Sequence, residues 1–326
     1  MMNEFRNRIF GLRQQNFEHL ALDVFRFQYQ QNPLYRSYVD ALKVNVDKVV
    51  SIQQIPFLPI SFFKSHSVKT TLFDAEIIFE SSGTTQTINS KHHVKDFNLY
   101  KESFIKGFER FYGSIKDFCI VGLLPSYLER KNSSLIAMVD EFIKISGHPL
   151  SAFYLYEHAK LNDVLHVLEN QNQKTLLIGV TFALLDFAEE FPQQLKHTIV
   201  METGGMKGRR KELTRQETHG ILKNQLGINV IHSEYGMTEL LSQAYSKGEG
   251  RFDSVPWMKI LVRNEDDPFD VRETGTGIIN IIDLANIYSC SFIATDDAGN
   301  VYDNGEFEIV GRVDNSDMRG CSLLVI

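Results

Sequence analysis

From residue 77 to about 232 the apolar positions fall in two alternating rhythms. Apolar runs of strand length, at 118–124, 150–155, 175–180, 197–201 and 229–232, are separated by stretches with helical spacing around 133–145, 159–171, 182–190 and 212–226. This alternation predicts βαβ units, hence an α/β fold with a largely parallel sheet covered by helices on both faces. Before it, Phe5, Ile9, Phe10, Phe17, Leu20, Leu22 and Phe25 recur at roughly helical spacing, with breaks at Asn32-Pro33 and around Pro56 and Pro59, which predicts a helical lead-in without chemistry of its own. After about residue 250, short apolar runs at 258–262, 277–284, 291–294 and 306–310 alternate with Asp-, Asn- and Gly-rich turns and predict a smaller antiparallel, β-rich lobe. The expected division is 1–75 helical, 76–248 α/β core and 249–326 β-rich. Phe97, Tyr100, Phe104, Phe108 and Tyr112 mark one helix face and read as core.

Composition narrows the class. The chain has 326 residues, enough for a sizeable core, and a formal net charge of −7. No tract of clustered Lys and Arg suits a nucleic-acid backbone; Arg209-Arg210-Lys211, the one compact basic run, reads as solvated helix surface. No apolar run reaches the length of a membrane span, and the charged start lacks the apolar core of a signal peptide, so a cytoplasmic protein is expected. Three widely spaced cysteines, Cys119, Cys290 and Cys321, argue for reduced thiols rather than a disulfide framework or a zinc site. Cys119 and Cys290 lie in predicted strands and read as core.

Four polar stretches carry candidate chemistry. In Glu80-Ser81-Ser82-Gly83-Thr84-Thr85-Gln86, hydroxyls around a glycine suit a phosphate cradle, and an ordinary turn has the same composition. Ligands of parallel sheets gather beyond the strand C-termini. There, Glu202-Thr203-Gly204-Gly205-Met206-Lys207-Gly208 offers glycines that let backbone approach a flat ring or a phosphate; a plain strand-to-helix turn explains it as well. In Ser233-Glu234-Tyr235-Gly236-Met237-Thr238-Glu239, Tyr235 suits stacking on a base, Thr238 a phosphate oxygen and Glu239 a nucleotide's Mg2+, against the alternative of a capped turn with a half-buried tyrosine. In Ala294-Thr295-Asp296-Asp297-Ala298-Gly299 a carboxylate suits two ribose hydroxyls, or the segment is a turn between two strands.

The order of these stretches, followed by Gly311-Arg312-Val313-Asp314, resembles the motif series of the adenylate-forming enzymes, the superfamily of acyl-CoA synthetases, luciferases and adenylation domains. Within it the chain looks most similar to the acyl-protein synthetase component of bacterial luminescence fatty-acid reductases. That narrower resemblance rests on Leu124-Pro125-Ser126-Tyr127-Leu128-Glu129-Arg130, Met138-Val139-Asp140, Tyr235-Gly236-Met237-Thr238-Glu239-Leu240 and Met318-Arg319-Gly320-Cys321-Ser322-Leu323-Leu324, and the whole covers roughly residues 75–326. The resemblance implies ATP and Mg2+ as cofactors. Ser81, Ser82, Gly83, Thr84 and Thr85 would enclose the phosphates, Gly204 and Gly205 flank the adenine, and Tyr235, with Gly236, stack on it. Thr238 would contact the α-phosphate, Glu239 coordinate Mg2+, and Asp297 with Arg312 hold the ribose. Gln86 and Asp296 stand where the family usually has glycine. The chain ends just past the Gly-Arg hinge motif, so the mobile C-terminal domain of larger relatives, with its transition-state lysine, is expected to be missing.

In adenylation a carboxylate attacks the α-phosphate, two anions meet, and cations must offset the charge. Lys207 is the best placed in sequence to replace the missing lysine. In the resembling synthetases a cysteine near the C-terminus takes the acyl group as a thioester; Cys321 occupies that place, or is a buried structural cysteine. The expected substrate is a fatty or other carboxylic acid. The expected acceptor is a protein thiol, an acyl-carrier protein or coenzyme A, with an acyl reductase as a candidate partner. A noncatalytic acyl- or nucleotide-binding subunit of a larger complex is the alternative.

Overall fold

The computed structural model describes residues 2–81, 88–124, 132–204 and 213–313. The lead-in forms α1 (Met2–Phe10), α2 (Phe17–Gln31) and α3 (Pro33–Ala41). Pro33 opens α3, where its missing N–H costs nothing, and the Asn32 side chain caps that helix by accepting from the Tyr35 N–H at 3.0 Å. There follow β1 (Leu58–Pro59), α4 (Phe62–Ser65), β2 (Ile77–Glu80), β3 (Lys91–Val94), α5 (Phe97–Tyr112), β4 (Cys119–Leu123), α6 (Ser134–Ser146) and β5 (Ala152–Phe153). Then come α7 (His158–Asn170), β6 (Thr175–Gly179), α8 (Thr181–Glu190), β7 (Thr198–Thr203), α9 (Arg215–Leu226), β8 (His232–Tyr235), β9 (Ala244–Ser246) and β10 (Phe252–Ser254). The last elements among the described residues are β11 (Met258–Arg263), β12 (Val271–Arg272), β13 (Gly275–Asp283), β14 (Phe292–Val301) and β15 (Phe307–Arg312).

These elements fall into two compact units, one from residues up to 104 with 237–243 and 253–313, the other from 105–236 with 244–252. In the second unit β5, β4, β6, β7 and β8 lie side by side in that order, all parallel, and β9 runs antiparallel to β8. Every residue of β4 and β6 is buried, as strands covered on both faces require. The covering helices bury stripes such as Leu161, Leu165 and Leu168 of α7. A capping box, Thr214 with Glu217, starts α9, and Gly227 in the left-handed region ends it.

In the first unit β12, β11, β13, β14 and β15 form an antiparallel sheet in that order, β1 pairs in parallel with β14, and β2 and β3 make a separate hairpin. Phe25 of α2 and Tyr35 of α3 pack their rings on Phe292 of β14, so the lead-in is built into this unit's core. Tyr100 and Phe104 are buried in this unit and Phe108 in the other, as the stripe on α5 predicts.

Two expectations need correction. Residues 294–299 form no turn: they lie within the ten-residue β14, along which burial alternates strictly after Ile293. Period-two burial outweighs the turn-like composition of Asp-Asp-Ala-Gly, and a register shift between Ala298 and Gly299 absorbs the irregularity. The strand expected at 229–232 instead occupies His232–Tyr235, a polar run whose buried side chains find hydrogen-bond partners. Among the described residues no helix is long and apolar enough to cross a membrane.

Candidate functional site

In the first unit, the β2–β3 hairpin carries Ser81, the first residue of the Ser-Ser-Gly-Thr-Thr stretch. The Ser81 N–H donates to the Ser90 carbonyl at 3.0 Å, and the Ser90 N–H donates to Ser81 Oγ at 2.9 Å. Ser82, Gly83, Thr84 and Thr85 lie outside the described residues, as do Gly205, Lys207 and Cys321.

The same hairpin reaches the stretch that carries Thr238 and Glu239. His92, paired with Phe79 across the hairpin, is buried, and its Nδ1 donates to the Thr238 carbonyl at 2.8 Å. Burial pushes this imidazole down to about 4, so the ring is neutral near pH 7 and the carbonyl partner fixes the proton on Nδ1. Glu239 is buried, and its carbonyl accepts from Asn286 Nδ2 at 2.8 Å. Asp283, at the end of β13, accepts through Oδ2 from the N–H groups of Leu241 and Ser242, and through Oδ1 from the Ser242 hydroxyl and the Ala285 N–H. Burial pushes its carboxyl up to about 6 against the pull of these donors. Trp257 closes the cluster, its Nε1–H donating to Ser103 Oγ at 3.1 Å and Ser242 Oγ at 3.0 Å.

Asp297 and Arg312 meet. They are register partners on β14 and β15, and Arg312 Nε donates to Asp297 Oδ1 at 3.0 Å. The Asp297 side chain is wholly buried and that of Arg312 is 7% exposed, so the carboxyl is held in a desolvated position by a guanidinium.

In the second unit, Gly204 follows β7 with φ +76, a conformation that favours glycine. Its carbonyl accepts from the Thr181 hydroxyl at the start of α8. That hydroxyl also meets Glu202, which binds His219 Nε2 at 2.9 Å and the Ser233 hydroxyl at 2.9 Å. Burial pushes the Glu202 carboxyl up, but its bonds to His219, Ser233 and Thr181 outweigh it and hold it below the usual carboxylate range. Tyr235 ends β8 and is 5% exposed, more deeply buried than a half-buried turn tyrosine, with its ring tilted against Phe252. Gly236 follows it directly.

The sequence reading did not single out Asp283, Asn286, Glu202 or Glu234. Asp283 and Glu202 do carry a local signal, a lone acid closing an apolar strand, which needs hydrogen-bond partners wherever it is buried.

The model of the family described as Acyl-protein synthetase, LuxE, matches residues 11–326. The chain belongs to this family. Its fold is that of adenylate-forming enzymes. ATP-bound MatB from Rhodopseudomonas palustris superposes with a TM-score of 0.53 at 15% identity, over 74% of this chain and 50% of MatB. The O-succinylbenzoate coenzyme A synthetase MenE from Bacillus subtilis, in complex with ATP and magnesium ion, gives 0.51 at 17% identity, over 76% of this chain and 53% of MenE. The chain spans about half the length of these solved structures. No curated protein sequence matches it.

Proposed function

We propose that the chain activates a fatty or other carboxylic acid with ATP and passes the acyl group to a protein thiol. The observation that carries this reading is the Asp297–Arg312 pair. A buried carboxylate pinned by a guanidinium, at the point of the motif series where the resemblance implies a ribose ligand, suits two hydroxyl donors. Family membership and the fold support the same reading.

A carboxylate oxygen of the acid attacks the α-phosphorus, an O–P bond forms, and the bridging bond to the β-phosphate breaks as pyrophosphate leaves. Thr238 is assigned to the α-phosphate, Ser81 to Thr85 to the phosphates, Gly204, Gly205, Tyr235 and Gly236 to the adenine, and Lys207 to the charge of the transition state. Among the described residues no cluster of His, Cys, Asp or Glu could hold a metal by itself. Mg2+ is bound by one or two carboxylates together with substrate phosphates, and Glu239 would supply it a hard oxygen ligand. Bound there, Mg2+ offsets charge on the phosphates. The Cys321 thiolate then attacks the acyl carbonyl, a C–S bond forms, and AMP leaves with the C–O electron pair. An acyl reductase is the fitting consumer of such a thioester. The free thiols of Cys119 and Cys290 fit a cytoplasmic setting.

Carboxylate-dependent ATP–pyrophosphate exchange over a panel of acid chain lengths tests the reading. Exchange is expected with at least one acid, and Asp297→Ala should lower kcat/KM for ATP by about 100-fold, roughly the 3 kcal/mol of a charge-assisted contact. Tight ATP binding with no exchange for any acid sinks acid activation in favour of a nucleotide-binding subunit.

A further inference from the structure

Residues 238–242 follow neither helix nor strand, yet Glu239, Leu240, Leu241 and Ser242 are each at most 3% exposed. Irregular backbone without water must find its partners elsewhere in the protein. Leu240 finds one locally, its N–H donating to the Met237 carbonyl at 3.1 Å. The other four described bonds of this backbone all come from distant side chains: His92 to the Thr238 carbonyl, Asn286 to the Glu239 carbonyl, and the Asp283 carboxylate to the N–H groups of Leu241 and Ser242. These donors and acceptors stand on three different pieces of the first unit, β3, the end of β13, and the short 3-10 turn Leu284–Asn286.

Each is itself fixed. The His92 ring lies edge-on to Phe63, with centroids 5.8 Å apart. Asp283 caps the turn that carries Asn286 by accepting from the Ala285 N–H at 3.1 Å. The Asn286 carbonyl accepts from Gln28 Nε2 on α2 at 3.0 Å, and Gln28 Oε1 accepts from the Ser291 N–H at 2.9 Å.

We propose that His92 and Asn286, backed by Asp283, are positioning residues for Mg-ATP: they hold the peptide carbonyls of Thr238 and Glu239, and so set the backbone from which these two side chains meet phosphate and metal. The proposal rests on the nucleotide reading of Thr238 and Glu239. Partners that orient a metal ligand from behind are worth about 10- to 100-fold in metal affinity. His92 is suited to the task because, neutral near pH 7, it donates to a carbonyl without burying a charge.

The test is calorimetric titration of the full chain with ATP, in Mg2+ and in EDTA. His92→Leu and Asn286→Leu are expected to weaken Mg-ATP binding about 10- to 100-fold and metal-free ATP binding, which keeps only the phosphate contact, by clearly less. His92→Gln, which keeps an N–H donor, should recover most of the affinity. If a leucine variant does not fold, Asn286→Ser withdraws the amide without adding apolar bulk and carries the same expectation. Wild-type Mg-ATP affinity in the variants, or an equal loss with and without Mg2+, overturns the proposal, the second because it marks a general loss of packing. A wild-type chain that binds Mg-ATP but exchanges no pyrophosphate discards acid activation and leaves the positioning role to be judged by the binding data. A wild-type chain that binds no Mg-ATP discards both.

Discussion

Glu202 and Glu234 are buried carboxylates on neighbouring strands of the second unit, and their environments drive them in opposite directions. Glu202 has three hydrogen-bonding side chains around it and is held below the usual range. Glu234 is pushed up to about 7 by burial, opposed by the single Thr203 hydroxyl at 2.5 Å. At Glu202 the bonds from His219, Ser233 and Thr181 outweigh burial, whereas at Glu234 the Thr203 hydroxyl does not. For Glu234 the unfolded chain ionises first, near pH 4.5, so between there and about pH 7 the folded state binds more protons and stability falls as pH rises. Glu234→Gln keeps an acceptor for Thr203 and removes the titration. It should match wild type near pH 4 and exceed it at pH 8 by about 1–3 kcal/mol. Urea unfolding across that range measures the difference, and parallel profiles for the two proteins would mean that Glu234 ionises like an exposed carboxylate.

At the scale of elements, α2 ties the lead-in to the rest of the first unit. Of its buried face, Phe17, Leu20 and Phe25 are legible from spacing alone, but Gln28 lies on the same face, wholly buried, and meets three backbone groups beyond β13. Gln28→Leu leaves those groups without partners and should cost about 2–4 kcal/mol in urea unfolding; a loss under about 0.5 kcal/mol, the range of surface substitutions, would contradict the brace. The same contrast marks what sequence could reveal. The strands β4, β6 and β11 stand out because an apolar run reports burial directly. β14 was missed after Ala294, since Asp296, Asp297 and Gly299 read locally as a turn and the Arg312 that satisfies Asp297 stands fifteen residues on. Motif order pointed to Thr238, Glu239, Asp297 and Arg312. The roles of His92, Asp283 and Asn286 depend on contacts 146, 42 and 47 residues away, which no local pattern records.

Across the whole molecule, burial damps the thiols of the described residues. Cys119 and Cys290 are buried; burial raises the first and pushes the second up to about 12, so neither offers a ready thiolate. Incubation with ATP and a radiolabelled fatty acid should therefore give a hydroxylamine-labile label that survives Cys119→Ser and Cys290→Ala and is lost in Cys321→Ser. Label retained by Cys321→Ser would eliminate the thioester at that position. The chain also contains a single tryptophan, and Trp257 shares the Ser242 hydroxyl with Asp283. Its indole is in direct hydrogen-bonded contact with the segment that carries Thr238 and Glu239. The protein thus has a built-in fluorophore, and its emission wavelength and lifetime would follow nucleotide binding without an attached dye.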